Sequence, residues 1–202
     1  KGKTTLIAEA GVNHNGSIEI AKKLILAAKR AGADCIKFQT YKASELTTRN
    51  AERFWNWEGE RKKNGTQYDS YAILDKFDFK HYEYLYKFCN KANIEFQSTP
   101  FDLKSLNILE KLKVNTYKVA SCDITNYLLL ESVAKTRKPI FLSTGAANFN
   151  EIREAVNFIS KYNKKIVIMH CILCYPTKIE DANLKSITFL KKKFPKIPIG
   201  YS

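Results

Sequence analysis

The chain has 202 residues, 45% of them hydrophobic, and a formal net charge of +14. That length and apolar content exclude a disordered polymer and allow one large domain with a sizeable core. No apolar run reaches membrane-helix length, the N-terminal stretch lacks a signal-peptide layout, and five cysteines, an odd number, argue against a disulfide framework.

The elements follow a regular rhythm. Residues 5–10 form a short apolar run that reads as a strand, followed by the loop Gly11-Val-Asn-His-Asn-Gly16. Ser17 is placed to cap a helix over 18–31, whose apolar residues recur every three and four positions, and Gly32 ends it. Residues 34–40 read as the second strand. An excursion over about 41–78, rich in charge and aromatics and carrying the turn signal Asn64-Gly65, is too long for an ordinary connection and reads as a functional insertion. A helix over 79–92 and a strand over 94–99, closed by Pro100, resume the pattern. It continues as helix 103–112, strand 116–120, helix 127–136, strand 139–144, helix 150–162, strand 165–171, helix 183–194 and strand 197–202.

Strand-helix alternation on this scale implies a parallel sheet with helices outside it. Neither a GxGxxG turn nor a Walker A lysine is present, so both nucleotide fingerprints fail. Polar residues crowd the C-terminal strand ends: Glu9, Lys37 and Gln39, Ser98 and Thr99, Lys118 and Ser121, Ser143 and Thr144, His170, and Ser202. A (β/α)8 barrel gathers such ends around one axis, where barrel enzymes keep their chemistry. The expectation is therefore an α/β chain supplying about seven strand-helix units of a TIM barrel. Because an open edge strand is an aggregation liability, the chain reads as a C-terminally incomplete piece of a longer protein.

Lys118 is the most informative single position. Alternation along Thr116-Tyr-Lys-Val-Ala-Ser-Cys-Asp123 turns its side chain inward, and a buried ammonium asks for an anion. Ser121 and Asp123 follow it where the strand opens. The bland alternative is a solvated edge lysine. The high positive charge is compatible with nucleic acid or with an acidic small substrate, but much of the lysine lies on helix-like faces such as 21–30 and 191–193. No aromatic-plus-basic motif accompanies it, so no nucleic-acid partner is expected, and no membrane. Cys171 and Cys174 form a lone CxxC without the second pair of a zinc ribbon. His170, ending an apolar strand, reads as a hydrogen-bonded structural histidine, and Asn13 and His14 as possible turn residues.

Several stretches resemble the sialic acid synthase family, which comprises N-acetylneuraminate, legionaminate and pseudaminate synthases. They are Ile7-Ala-Glu-Ala-Gly-Val-Asn-His-Asn-Gly16, Ile36-Lys-Phe-Gln-Thr40, Ser98-Thr-Pro-Phe101, Tyr117-Lys-Val-Ala-Ser-Cys-Asp-Ile-Thr-Asn126, Leu142-Ser-Thr-Gly145, His170-Cys-Ile-Leu-Cys-Tyr-Pro-Thr177 and Ile199-Gly-Tyr-Ser202. The resemblance implies condensation of phosphoenolpyruvate with an N-acetylmannosamine-type aldose, giving a nonulosonic acid and phosphate in a cytoplasmic pathway. It implies a homodimer with an antifreeze-like C-terminal domain. It also implies a divalent cation, Mn2+ or Mg2+, that polarises the aldehyde and whose histidine ligands lie beyond residue 202; no metal ligand is assigned within the chain.

By the same resemblance, Lys37, Thr99, Lys118, Ser121, Ser143 and Ser202 hold phosphoenolpyruvate. The chemistry agrees: a polyanion needs point charges and short hydroxyl donors. Glu9 matches an acid near the reacting carbons, its bland alternative being a salt bridge to Lys37. Gln39, Asp123 and Tyr175 match sugar contacts. Two departures stand out: Cys122 where many members have glycine, and Leu173 where some place a polar residue near the phosphate. A class I aldolase using Lys118 as a Schiff base, and a basic RNA-binding domain, are the competing readings.

Overall fold

The computed structural model describes residues 4–55 and 65–202. It divides into two compact units, Lys1–Val114 and Asn115–Ser202. In the first, β1 (Ile7–Gly11), β2 (Cys35–Thr40) and β3 (Glu95–Pro100) form a parallel sheet in the order β1-β2-β3. In the second, β4 (Tyr117–Val119), β5 (Ile140–Ser143), β6 (Ile166–His170) and β7 (Ile199–Tyr201) form a parallel sheet in chain order. The fold class is α/β with parallel strands, as the alternation predicts.

Several of the helices between strands begin where the sequence supplies an acceptor for their first free N–H groups. Ser17 Oγ accepts from Ile20 N ahead of α1 (Ile18–Arg30). Helices α2 (Ala43–Leu46) and α3 (Gln67–Leu74) lie within the long excursion; α4 (Phe79–Lys91) and α5 (Leu103–Lys111) flank β3. In the second unit, α6 (Tyr127–Lys135) opens on Asn126 and α7 (Phe149–Ser160) on an Asn148–Glu151 capping box, while α8 (Lys185–Lys193) precedes β7.

Each sheet buries one continuous apolar set. In the first unit Ile25, Ile36, Phe38, Leu85 and Leu109 are fully enclosed; in the second Tyr117, Val119, Leu130, Ile140, Leu142, Ile159 and Ile168 are. The two ends of the excursion are tied together: Lys42 Nζ meets Asp75 Oδ1 at 2.6 Å, and Ala43 N donates to Asp75 Oδ2 at 2.9 Å. Tyr82 on α4 donates its hydroxyl to the Gln39 carbonyl at 3.0 Å. The Asn64-Gly65 turn signal lies partly outside the described residues.

The structure departs from the sequence reading in two places. The fourth strand, expected over 116–120, spans only Tyr117–Val119, and where it opens Ser121–Asp123 forms a 3-10 turn. In a strand, residues two apart share a face, but at three residues per turn they do not. Pro100, expected just beyond β3, is its last residue.

Candidate functional site

The first unit contributes Glu9, Lys37, Gln39 and Thr99, all near the C-terminal ends of neighbouring strands. Register pairs Glu9 with Lys37 and Gln39 with Thr99. Alternation places Ile36 and Phe38 on the opposite face of β2 from Lys37 and Gln39. The Lys37 ammonium makes an ion pair with Glu9 Oε2, joining the two expected site residues directly. The carboxylate keeps 45% of its side-chain exposure and Lys37 only 14%, so the cation sits beneath a carboxylate open to solvent.

A bulge between Glu9 and Gly11 creates this geometry. Gly11 has φ +53°, and a Cβ there would lie 3.0 Å from Glu9 Oε1 and 3.7 Å from Gln39 Nε2. The absent side chain is what lets the carboxylate fold back. Thr99 is buried, and on the other face Ser98 Oγ and Thr40 Oγ1 bond to one another at 2.7 Å.

His14 proves to be more than a turn residue. It is buried, its ring stacks on Phe77 at 4.1 Å, and its Nδ1 accepts from Gly16 N at 3.1 Å. Burial depresses its pKa to about 4, so the imidazole is neutral at physiological pH. The sequence signal was present, since a histidine inside the Gly11–Gly16 turn can satisfy the returning backbone.

The second unit contributes Lys118, Ser121, Asp123, Ser143, Tyr175 and Ser202. Lys118 is 7% exposed, and its Nζ donates to the Val119 carbonyl at 3.0 Å. The solvated-edge alternative is therefore excluded. Its neighbours Tyr117 and Val119 are fully buried on the opposite face. Ser143, at the end of β5, is buried, and its hydroxyl has no hydrogen-bond partner among the described residues. A buried hydroxyl without a partner is costly, and a ligand oxygen would remove that cost.

Ser121 stands at the start of the 3-10 turn in a tight cluster. Gly145 N donates to Ser121 Oγ at 2.9 Å and to Cys171 Sγ at 3.1 Å, and the hydroxyl and thiol lie 3.1 Å apart. Asp123 is also buried, with Oδ1 accepting from Asn126 Nδ2 at 3.2 Å. Asn126 Oδ1 in turn caps α6, so Asp123 is braced by a helix terminus.

Tyr175 is 88% exposed, and Ser202 is exposed with its N–H donating to the His170 carbonyl at 2.8 Å. The structure gathers neither into the Ser121 cluster. His170 is buried, and Nε2 donates to the Ala182 carbonyl at 2.9 Å, as a structural histidine should. Leu173 lies against Gly145, with Cγ 2.9 Å from where a Cβ would stand. The sequence presents Cys171 only as half of a lone CxxC and Gly145 only within the Leu142–Gly145 stretch; their meeting with Ser121 depends on strands β4, β5 and β6 lying side by side.

Comparison with known proteins gives the arrangement its context. The NeuB family matches residues 24–202. An uncharacterised protein of Methanocaldococcus jannaschii is 43% identical over all of this chain and 56% of its own length. The N,N'-diacetyllegionaminic acid synthase of Campylobacter jejuni is 40% identical over 99% of this chain and 60% of its own. Among solved structures, the N-acetylneuraminic acid synthetase of Leptospira borgpetersenii, crystallised with citrate, superposes with a TM-score of 0.85 at 38% identity, covering 99% of this chain and 65% of that one. The chain thus spans little more than half the length of the curated relatives it matches. It belongs to the NeuB family.

Proposed function

We propose that this NeuB-family chain is the phosphoenolpyruvate-binding part of a nonulosonic acid synthase. The intact protein condenses phosphoenolpyruvate with an N-acylated mannosamine-type aldose, releasing phosphate. The observation that carries this reading is Lys118, a buried ammonium on β4, with the Ser121 hydroxyl in the turn that follows β4 and the Ser143 hydroxyl at the end of neighbouring β5. A buried cation among hydroxyl donors is chemistry suited to a phosphorylated carboxylate. Relatives named as legionaminic and pseudaminic acid synthases support the product class.

On this reading Lys37 and Lys118 act as point charges for phosphoenolpyruvate, and Thr99, Ser121, Ser143 and Ser202 as hydroxyl donors. Gln39, Asp123 and Tyr175 contact sugar hydroxyls, which need mixed donors and acceptors. Glu9, tethered by Lys37, orients the aldehyde or the attacking water. C3 of phosphoenolpyruvate forms a bond to the aldehyde carbon, water adds at C2, and phosphate departs by C–O cleavage. The protein's part is positioning and electrostatic stabilisation.

Among the described residues no three His, Cys, Asp or Glu side chains cluster to hold a metal ion. The residues proposed above bind and orient the substrates, and none of them is assigned to the divalent cation implied for the family. No helix among the described residues is long and apolar enough to cross a membrane. The same reading assigns the remaining length of the relatives to barrel closure, a small C-terminal domain and dimerisation.

The test is to supply the purified intact protein with phosphoenolpyruvate and a panel of N-acylated aldoses. Phosphate and a nonulosonic acid should appear together, with the bridging oxygen of labelled phosphoenolpyruvate leaving in the phosphate. A lysine adduct trapped by borohydride, with no phosphate released, would instead establish the Schiff-base aldolase.

A further inference from the structure

Resting on the assignment of Ser121 to phosphoenolpyruvate, we infer that Cys171 is a positioning residue: its thiol and the Gly145 N–H together aim the Ser121 hydroxyl proton at the ligand. A serine hydroxyl has one proton to give and two lone pairs to fill. Gly145 N occupies one lone pair at 2.9 Å, and Cys171 Sγ stands at 3.1 Å, able either to donate to Oγ or to accept from it. When the thiol donates, both lone pairs are filled by the protein, and the O–H proton has no role left except an outward one.

The choice of sulfur matters. A thiol is a weak acceptor, so while the site is empty it holds the serine proton loosely. An anionic ligand oxygen, a far stronger acceptor, draws that proton away, and the thiol turns to donate in its place. An aspartate at this position would compete with the ligand and repel it. The cluster also has no slack. Ser121 and Cys171 are both about nine-tenths buried. A Cβ on Gly145 would stand 3.0 Å from Ser121 Oγ and 3.1 Å from Cys171 Sγ. Glycine lets the backbone N–H approach both atoms at once, from a residue 24 positions from Ser121 and 26 from Cys171.

A purely structural role, with Cys171 as a small buried hydrophobe, makes a different prediction. The experiment uses the intact protein and measures phosphoenolpyruvate binding by calorimetry, KM for each substrate, kcat and thermal midpoint. Cys171→Ala should weaken phosphoenolpyruvate binding about three- to tenfold, with its KM rising in parallel and the aldose KM and kcat changing less. Cys171→Ser restores a donor and should return the affinity to within about twofold of wild type. The double variant Ser121→Ala with Cys171→Ala should bind no more weakly than Ser121→Ala alone, because the thiol acts only through the hydroxyl. If Ser121→Ala weakens binding and Cys171→Ala does not, the positioning role is overturned while the functional reading stands. Serine failing to rescue would overturn it equally. If Ser121→Ala itself binds normally, the underlying assignment of Ser121 falls.

Discussion

Replacing Lys118 separates a ligand-binding cation from a structural one. The ammonium is 7% exposed and reaches the Val119 carbonyl at 3.0 Å. Enclosing a cation this thoroughly carries a desolvation cost, which a bound polyanion offsets. Lys118→Ala removes one charge-assisted contact to phosphoenolpyruvate, roughly 1.5–3 kcal/mol. At about 1.4 kcal/mol per decade, binding should weaken ten- to a hundredfold. The thermal midpoint without ligand separates a loss of binding from a loss of fold. Lys118→Arg should not rescue, since a planar fork does not replace a compact point charge in an enclosed position. Calorimetric titration of phosphoenolpyruvate into the intact protein, paired with unliganded melting curves, gives both numbers. Affinity within twofold of wild type for the alanine variant, or a collapse of unliganded stability with affinity intact, would refute the reasoning.

Asp123→Asn keeps the shape and the contact from Asn126 but removes the charge; steady-state kinetics should show a higher aldose KM, with phosphoenolpyruvate affinity unchanged or slightly tighter. Leu142, fully buried on β5, should cost about 2–5 kcal/mol when cut to alanine, read from denaturant unfolding. Asn148→Ala breaks the α7 capping box, in which Asn148 Oδ1 accepts from Asn150 N and Glu151 N, and should cost about 1 kcal/mol by the same measurement. His14, held neutral with a pKa near 4, binds fewer protons folded than unfolded between that value and its ordinary 6.5. Its contribution is therefore present above pH 6.5 and lost as pH falls toward 4, by at most about 3 kcal/mol. His14→Phe, keeping the stack on Phe77, should flatten the stability profile across that window.

Local pattern carried much of this protein in its sequence. Alternation along 116–120 turned Lys118 inward, and the structure buries it. Ser17, one residue before an apolar stripe of period 3.6, was legible as a cap because capping needs only residues three apart. His170, polar at the end of an apolar strand, read correctly as hydrogen-bonded. Each signal is contained within a few residues, where helix and strand periodicity act directly.

What the sequence left undecided lies between distant segments. The Glu9–Lys37 ion pair was foreseen only as an alternative to a functional acid, and the structure makes the pair while leaving the carboxylate exposed. That the strand opens at Ser121 was legible, but not that Ser121–Asp123 coils into a 3-10 turn with Asp123 accepting from Asn126, the residue that caps α6. The meeting of Ser121, Gly145 and Cys171 was invisible altogether. No residue type at any one of those positions announces it, and only the parallel register of β4, β5 and β6 brings a turn, a glycine and a thiol 50 residues apart into hydrogen-bonding distance. Strand pairing is fixed by burial of whole faces rather than by local propensity, so contacts at strand ends are decided by tertiary structure.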